Sequence, residues 1–237
     1  MDRQHRRELK HDKFVDEVGV LTGRARENQR LLILIAVAAI LIAAGSYGYY
    51  LYGSTQERKA QDVLAVAIET MESPIINPQS PHPRAKFKTE AERTAAAEKQ
   101  FKDVQSKFPG TNASDVAGLY VARMAAARGD MITARTLLQK FIADHPRHFL
   151  VGSTRYSLYQ LRIDSGEGQQ VAAELDLELK KPKDTQILPG DSLLVLLAHA
   201  YEAQGNEQKS RDTYRRIVTE FPDSPFALEA QRRVGPA

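Results

Sequence analysis

The segment SRDTYRRIVTEFPDSPFALEA, residues 210–230, decides the fold because its plan occurs twice more in the chain. The segments AEKQFKDVQSKFPGTNASDVA, residues 97–117, and ARTLLQKFIADHPRHFLVGST, residues 134–154, align with it. In each copy a bulky residue follows a small one four positions later, and a proline stands eight positions further on. A degenerate copy, VAAELDLELKKPKD, ends at Pro182, and successive prolines lie 37, 36 and 40 residues apart. This spacing predicts an internal repeat.

Each copy is predicted to form a helix that ends near its proline, because proline cannot continue a helix. A small residue lets two helices approach closely, and the bulky residue fills the space opposite it. One helix pair cannot bury its apolar face alone, so the pairs are expected to stack around a shared core. The stripe formed by Phe226, Ala227, Ala230 and Val234 predicts a capping helix that ends at Gly235. The predicted fold class is all-α, with a short α-solenoid.

The repeat resembles the tetratricopeptide repeat (TPR), a helix-turn-helix unit of about 34 residues with a closing proline. The best copy is 191–226, and residues 60–72 would supply the first helix of the first copy. The chain departs from the family in having no tryptophan, in placing Ala125 at an aromatic position, and in its irregularity around Gly166 and Gly168. The resemblance implies three to four repeats. Their packing positions would be Ala97, Phe101, Pro109, Ala122, Gly129, Ala134, Leu138, Pro146, Ala198, Tyr201, Gly205, Tyr214 and Pro222.

A second feature is the stretch LLILIAVAAILIAAGSYGYYLY, residues 31–52, which holds 22 residues without a charge. A helix of this length spans about 33 Å, enough to cross the core of a bilayer. Four Lys or Arg residues lie in the twenty positions before it and two in the twenty after, which predicts a cytoplasmic N-terminus. Two alternatives stay open. A cleaved signal peptide normally has a shorter apolar core, and a buried core helix rarely needs so long an uncharged run.

These patterns divide the chain into four predicted regions. Residues 1–30 form a cytoplasmic leader that is partly helical, and residues 31–52 form a transmembrane helix. Residues 53–87 hold an amphipathic helix followed by a proline-rich loop. Residues 88–237 hold the repeat array and its capping helix.

Composition and motifs predict a protein that is not an enzyme. The absence of cysteine excludes disulfides, thiolate metal sites and cysteine nucleophiles. The chain contains no P-loop, GxGxxG, G-x-S-x-G or HExxH motif, and we predict neither a cofactor nor a metal. His145 and His148 share a repeat joint, but no third ligand is near them in sequence, so a solvated turn is the simpler interpretation. The formal net charge of +3 argues against nucleic acid as a partner.

The order of a short leader, one apolar span, an amphipathic helix and a repeat array resembles the bacterial ancillary SecYEG translocon subunit family. The joint FPDSPFALEA, residues 221–230, is also similar to repeats in cell-division coordinator and outer-membrane assembly proteins. The resemblance implies a single-pass protein of the bacterial inner membrane. Its periplasmic array would bind translocating or envelope proteins near the translocon, as a scaffold or chaperone-like factor. The alternative is a structural subunit of an envelope or cell-division assembly that acts through self-association.

In a TPR array, the first helix of each pair lines the surface that binds partners. The alignment places eight residues on this surface, and they mix arginine, aromatic and apolar side chains. They are Leu119, Arg123, Arg155, Tyr159, Arg162, Val195, His199 and Glu202. Such a groove suits an extended peptide, whose backbone and acidic groups the arginines would bind. For any one of these residues the alternative is an ordinary solvated helix surface.

Overall fold

The computed structural model describes residues 29–79 and 82–235. Within these residues the regular structure is helical, apart from one isolated parallel bridge between Ile75 and Phe87. The predicted all-α class is therefore confirmed. The α-helices are α1 (Gln29–Glu72), α2 (Glu90–Lys107), α3 (Asn112–Ala127), α4 (Met131–Asp144), α5 (Val151–Arg162), α6 (Gly168–Glu178), α7 (Gly190–Ala203), α8 (Glu207–Glu220) and α9 (Ala227–Val234). A π-helical turn spans Ile163–Glu167 and a 3-10 turn spans Lys183–Thr185.

The chain divides into two compact units, Met1–Gln56 and Glu57–Ala237. In the first unit the described structure is the N-terminal part of α1, and the rest of the predicted leader lies outside the described residues. Large apolar side chains of this part, such as Leu34 and Ile42, are exposed. Among the described residues, α1 is the one helix that is long and apolar enough to cross a membrane.

In the second unit, the C-terminal part of α1 packs against α2 and α3. The side chains that form this apolar cluster include Ala60, Leu64, Ala67, Phe101, Val104 and Ala117. The Glu57 carboxylate accepts hydrogen bonds from the backbone N–H groups of Asn112, at 2.8 Å, and Ala113, at 3.2 Å. These N–H groups begin α3 and have no partner within their own helix, so Glu57 acts as a cap supplied from another helix.

The two ends of the proline-rich loop after α1 lie close together. The backbone N–H of Ile76 donates to the carbonyl of Phe87 over 2.8 Å, which joins the two sides of the loop. The Arg93 guanidinium on α2 donates to the carbonyl of Ser73 over 3.0 Å, near the end of α1. Two long-range hydrogen bonds therefore fix the ends of the loop, as expected for a loop within one structural unit.

Short turns join α2 to α3, α3 to α4 and α7 to α8. Side-chain oxygens of Thr111, Asp130 and Asn206 each accept a hydrogen bond from a backbone N–H in the first turn of α3, α4 and α8. Gly129 and Gly205 end α3 and α7 with left-handed backbone angles, φ 81° and 71°, that glycine adopts without strain. These caps explain why the helix pairs α3–α4 and α7–α8 begin and end at those residues.

The residues predicted to pack the repeats include buried positions on helices and exposed prolines that follow helix ends. Small and bulky positions on helices are buried, namely Ala97, Phe101, Ala122, Ala134, Leu138, Ala198 and Tyr214. Pro109, Pro146 and Pro222 are exposed and follow the C-terminal ends of α2, α4 and α8. Tyr201 is half-buried, and its hydroxyl donates to an Asp176 carboxylate oxygen over 2.9 Å.

The C-terminal helix α9 covers the end of the core formed by α7 and α8. Its buried Ala230 belongs to the same apolar cluster as Leu194 and Ile217. The helix begins at Ala227, two residues after Pro225. The Ser224 hydroxyl accepts a hydrogen bond from the Phe226 N–H over 3.1 Å and donates to Asp191 over 2.7 Å. This bond ties the start of α9 to the start of α7.

Candidate functional site

A cavity of the second unit lies between α3 and α5, and Leu138 of α4 also lines it. Its volume is about 680 Å³, within the range of ligand-binding clefts. The lining side chains come from one face of each helix and are mainly apolar. They include Val116, Leu119, Tyr120 and Arg123 of α3, Leu138 of α4, and Tyr156, Ser157, Gln160 and Leu161 of α5. We call this cavity the α3–α5 groove.

Two of the eight predicted groove residues, Leu119 and Arg123, line the α3–α5 groove. Arg123 is exposed, and no carboxylate of the described residues lies within ion-pair distance of it. It also lines a second cavity, of about 620 Å³, between α2 and α3. Arg93 and Met71 line this second cavity as well. Arg123 therefore lines both cavities and forms no ion pair with a described carboxylate.

The three predicted groove residues on α5 point elsewhere. Arg162 binds Glu174 over 2.7 Å and Glu167 over 2.9 Å, so its guanidinium faces α6 and the π-helical turn. Tyr159 packs against the apolar cluster that contains Leu175. Arg155 is half-buried and, like the other two, does not line the α3–α5 groove. The groove is lined instead by side chains one or two positions away along α5.

A signal for the correct face of α5 was present in the sequence. Leu119 and Arg123 lie 10 and 14 residues after Pro109, which closes the preceding helix. The residues at the same distances after Pro146 are Tyr156 and Gln160, and both line the groove. When the repeat copies are aligned on the proline that precedes each first helix, the alignment selects the residues of α5 that line the groove. When they are aligned through the irregular segment after Arg162, it selects residues on another face of α5.

The predicted groove residues on α7 have three different surroundings. Val195 is 1% exposed within the apolar core, so it is closed to a ligand, contrary to the sequence-based expectation. His199 is half-buried, and its Nδ1 lies 3.1 Å from the Oε1 of Gln160, a residue of the α3–α5 groove. Glu202 is half-buried and binds Arg233 of α9 over 3.2 Å.

A comparison with models of protein families identifies the family of the chain. A model of the tetratricopeptide repeat-like domain matches residues 26–224, from before α1 to the turn that precedes α9. The chain belongs to this family. No curated protein matches the chain. A TPR-like domain indicates a protein-interaction scaffold, because its stacked helix pairs expose an extended binding surface.

Further along this TPR array, a smaller cavity of about 420 Å³ opens beside the α7–α8 turn. It is lined by polar side chains, among them Glu202, Ser210, Arg211, Tyr214 and Arg233. The ring of Tyr214 lies 6.4 Å from the ring of His199, measured between ring centres. His199 is therefore near Tyr214, which lines this cavity, and contacts Gln160 of the α3–α5 groove.

The repeat joints of the TPR array hold the two histidines that the sequence had raised as a metal pair. His145 Nε2 lies 3.3 Å from an Asp115 carboxylate oxygen, and His148 Nε2 lies 3.3 Å from the amide oxygen of Asn112. Burial raises the pKa of Asp115 above its ordinary value, and His145 opposes this change. In the described part of the chain, no group of three or more histidine, aspartate or glutamate residues is arranged to hold a metal ion.

Proposed function

We propose that this protein is a non-enzymatic scaffold, anchored in the bacterial inner membrane, that holds extended segments of partner proteins. The observation that carries the proposal is the apolar α3–α5 groove with the exposed Arg123, which forms no ion pair with a described carboxylate, among its lining residues. A cavity of about 680 Å³ accommodates one or two large side chains of a bound segment. The arginine supplies the charge-assisted contact that such a segment needs for orientation.

The chemistry of the groove defines the segment that fits it. Leu119, Leu138 and Leu161 offer apolar surface, which favours a leucine or aromatic side chain of the partner. Tyr120 and Tyr156 can both pack and form hydrogen bonds. A carboxylate one or two residues from the apolar side chain would reach Arg123. We therefore expect extended segments that pair a bulky apolar residue with an acidic one.

The anchor and location rest on the apolar span and on the resemblance described above. The 22 uncharged residues of 31–52 would cross the bilayer, and Arg24, Arg26 and Arg30 would keep the N-terminus in the cytoplasm. The array, from residue 88 onward, would then lie in the periplasm beside the SecYEG translocon. Its partners would be translocating or envelope proteins, which present extended segments before they fold.

A binding measurement tests the groove. The full-length protein in detergent micelles would be titrated into fluorescein-labelled, reduced and carboxymethylated lactalbumin, an unfolded acidic chain. Arg123→Glu should weaken binding at least tenfold, because it replaces a favourable charge with a repulsive one. Lys99→Glu makes the same change of charge on an exposed position of α2 that lines neither groove cavity, and it should bind as the wild type does.

Two results would contradict the groove proposal. One is a wild-type protein that leaves the anisotropy of the labelled chain unchanged. The other is equal weakening by Arg123→Glu and Lys99→Glu, which would mean that net charge, rather than the α3–α5 groove, governs binding. Circular dichroism at 222 nm would confirm that both variants keep their helices.

Single cysteines test the anchor and its direction, because the natural chain has none. Ser106→Cys, on α2, should react with a membrane-impermeant maleimide in cells whose outer membrane has been made permeable. Thr22→Cys should react only after detergent dissolves the inner membrane. Labelling of Thr22→Cys in whole cells would reverse the proposed orientation.

A photo-crosslinking amino acid in place of Leu119 tests the proposed partner. It should join the protein to a secretory chain arrested in the translocon, whereas the same amino acid in place of Leu177, which is 64% exposed and outside the groove, should not. A product that contains two copies of this protein would instead support the alternative, a self-associating structural subunit.

A further inference from the structure

The joint between α4 and α5 exposes an aromatic side chain and a basic one. Phe149 is 77% exposed, and its ring stacks on the ring of His148 with 4.5 Å between the ring centres. Arg147 is exposed, and no carboxylate of the described residues lies within ion-pair distance of it. Both side chains are therefore available to a partner outside the fold.

The other regular joints of the array show that the fold does not need this pair. One and three residues after the closing proline, those joints hold small, acidic or amide residues or a second proline. They are Gly110, Asn112, Asp223 and Pro225. The same two positions of the α4–α5 joint hold Arg147 and Phe149. The packing of the repeats thus leaves the exposed pair unexplained.

Contacts within the second unit place the α4–α5 joint beside Glu57, the residue at which this unit begins. The Glu57 carboxylate accepts a hydrogen bond from the Asn112 N–H over 2.8 Å. The side-chain oxygen of Asn112 lies 3.3 Å from Nε2 of His148, and His148 stacks on Phe149. Two polar contacts and one ring contact therefore connect Glu57 to Phe149.

Glu57 is close to the bilayer if residues 31–52 cross it. It follows Tyr52 by five positions within α1, a distance of about 7.5 Å along the helix axis. The headgroup layer on each side of a bilayer is itself about 5–8 Å deep. A tilted helix would bring Glu57 still nearer to the headgroups. The joint that Glu57 contacts through Asn112 is thus within reach of the lipid surface.

The chemistry of the joint suits a lipid surface better than a protein partner. Phenylalanine inserts at the boundary between headgroups and acyl chains, and arginine binds lipid phosphates. One ring and one guanidinium form too small a surface for a stable protein interface. They suffice as a second contact for a protein that an anchor already holds at the membrane, because the effective concentration of lipid is then high.

We propose that the α4–α5 joint rests on the periplasmic surface of the bilayer, with the Phe149 ring among the headgroups and Arg147 against lipid phosphates. This inference rests on the anchor of the proposed function and is independent of the α3–α5 groove. A second attachment to the membrane restricts rotation of the array about its anchor. The array would therefore be presented to its partners in one orientation.

The lack of tryptophan in the natural chain makes Phe149→Trp a single fluorescent reporter. The full-length variant would be reconstituted in vesicles of phosphatidylcholine and phosphatidylglycerol, with and without phosphatidylcholine brominated near the headgroup. Bromine should reduce the emission about twofold, as expected for a ring inserted about 5–10 Å into the boundary of headgroups and acyl chains. Both leaflets carry the brominated lipid, so the orientation of the protein in the vesicle does not affect the result.

Ile132→Trp is the matched control. Ile132 is 82% exposed but lies in the first turn of α4, at the opposite end of this helix from the joint. Its tryptophan should keep its emission in brominated vesicles. Equal quenching of Phe149→Trp and Ile132→Trp would overturn the membrane contact. So would an emission of Phe149→Trp that shifts to shorter wavelength without quenching, because protein would then cover the ring.

Tyr50→Trp separates this inference from the proposed anchor, because Tyr50 lies near the end of the apolar span. If bromine quenches Tyr50→Trp and not Phe149→Trp, the anchor stands and the membrane contact is wrong. If it quenches neither variant, both are wrong. Adding Arg147→Glu to Phe149→Trp should restore most of the emission, because a carboxylate is repelled by anionic phosphatidylglycerol. Unchanged quenching would contradict the contact of Arg147 with lipid phosphates.

Discussion

The regular helix pair α7–α8 and the irregular pair α5–α6 are held together in different ways. In α7, Leu193, Leu194, Leu196 and Leu197 are each at most 2% exposed, and apolar contacts fix the helix on several sides. In the irregular pair, α5 runs into the π-helical turn, where Arg162 binds both Glu167 and Glu174. This charged clamp, formed by Arg162, Glu167 and Glu174, holds one side of α5, while Tyr156 and Gln160 line the groove. The proposed groove therefore lies beside the helix pair that is held partly by ion pairs.

The largest expected effect comes from removing apolar packing in the regular pair. Leu194→Ala should lower the free energy of unfolding by about 2–5 kcal/mol, because the side chain is fully buried and its loss leaves a cavity. Leu161→Ala should cost less, because this side chain already borders the open groove. Urea unfolding of the full-length protein in detergent, followed by circular dichroism, would measure both. Equal losses would contradict the claim that the two pairs are packed differently.

A smaller effect is expected from the backbone of the irregular pair. Gly166 has φ 86°, and a Cβ there would meet no atom within 4 Å. Gly166→Ala should therefore cost about 1–2 kcal/mol, from the backbone conformation alone. Gly152→Ala is the control, since its Cβ would make an ordinary contact with Leu188 at 4.0 Å in a right-handed helix. A destabilised Gly152→Ala variant would show that any methyl group, and not the left-handed conformation, disturbs this region.

The smallest effect is the pH dependence of the charged clamp. Hydrogen bonds from Arg162 hold the pKa of Glu167 and of Glu174 below the ordinary value for glutamate. A lowered folded-state pKa stabilises the protein above the unfolded pKa, about 4.3, and this stabilisation is lost as the pH falls further. Arg162→Met should therefore reduce the fall in Tm between about pH 5 and pH 3. Both carboxylates are near the surface, so solvent keeps the change modest.

Arg216→Met is the matched control for the clamp. Arg216 also binds a carboxylate, that of Glu220 over 2.7 Å, but this pair lies on the exposed face of α8. The control should keep the wild-type slope of Tm against pH. If both variants reduce the dependence of Tm on pH equally, the charged clamp does not contribute more to this dependence than an ordinary surface ion pair does.

The fold was predictable because it follows from local rules that repeat. Proline cannot continue the interior of a helix, and the small and bulky positions that precede Pro109, Pro146 and Pro222 are buried in all three copies. The burial of Val195 was predictable in principle as well. It lies within Leu193–Ala200, where seven of eight residues are apolar, and a helix that is apolar on all sides is enclosed by its neighbours.

The candidate site was only partly predictable. Leu119 and Arg123 follow a regular joint, so the repeat alignment places them on the groove. The face of α5 follows from the distance to Pro146, but an alignment carried across the π-helical turn selects other residues. The turn itself is held by ion pairs with α4 and α6, which the repeat pattern does not predict. Contacts between elements distant in sequence leave no mark in a repeat pattern.

The hydrogen bond between Ile76 and Phe87 makes the proline-rich loop a place where foreign sequence can be inserted. The two ends of the loop are already joined, so added residues need not be stretched or compressed to fit. Each doubling of loop length would cost only about 0.6 kcal/mol of closure entropy. An epitope tag or a small fluorescent domain inserted after Gln79 would therefore report on the protein in living cells while its array stays intact.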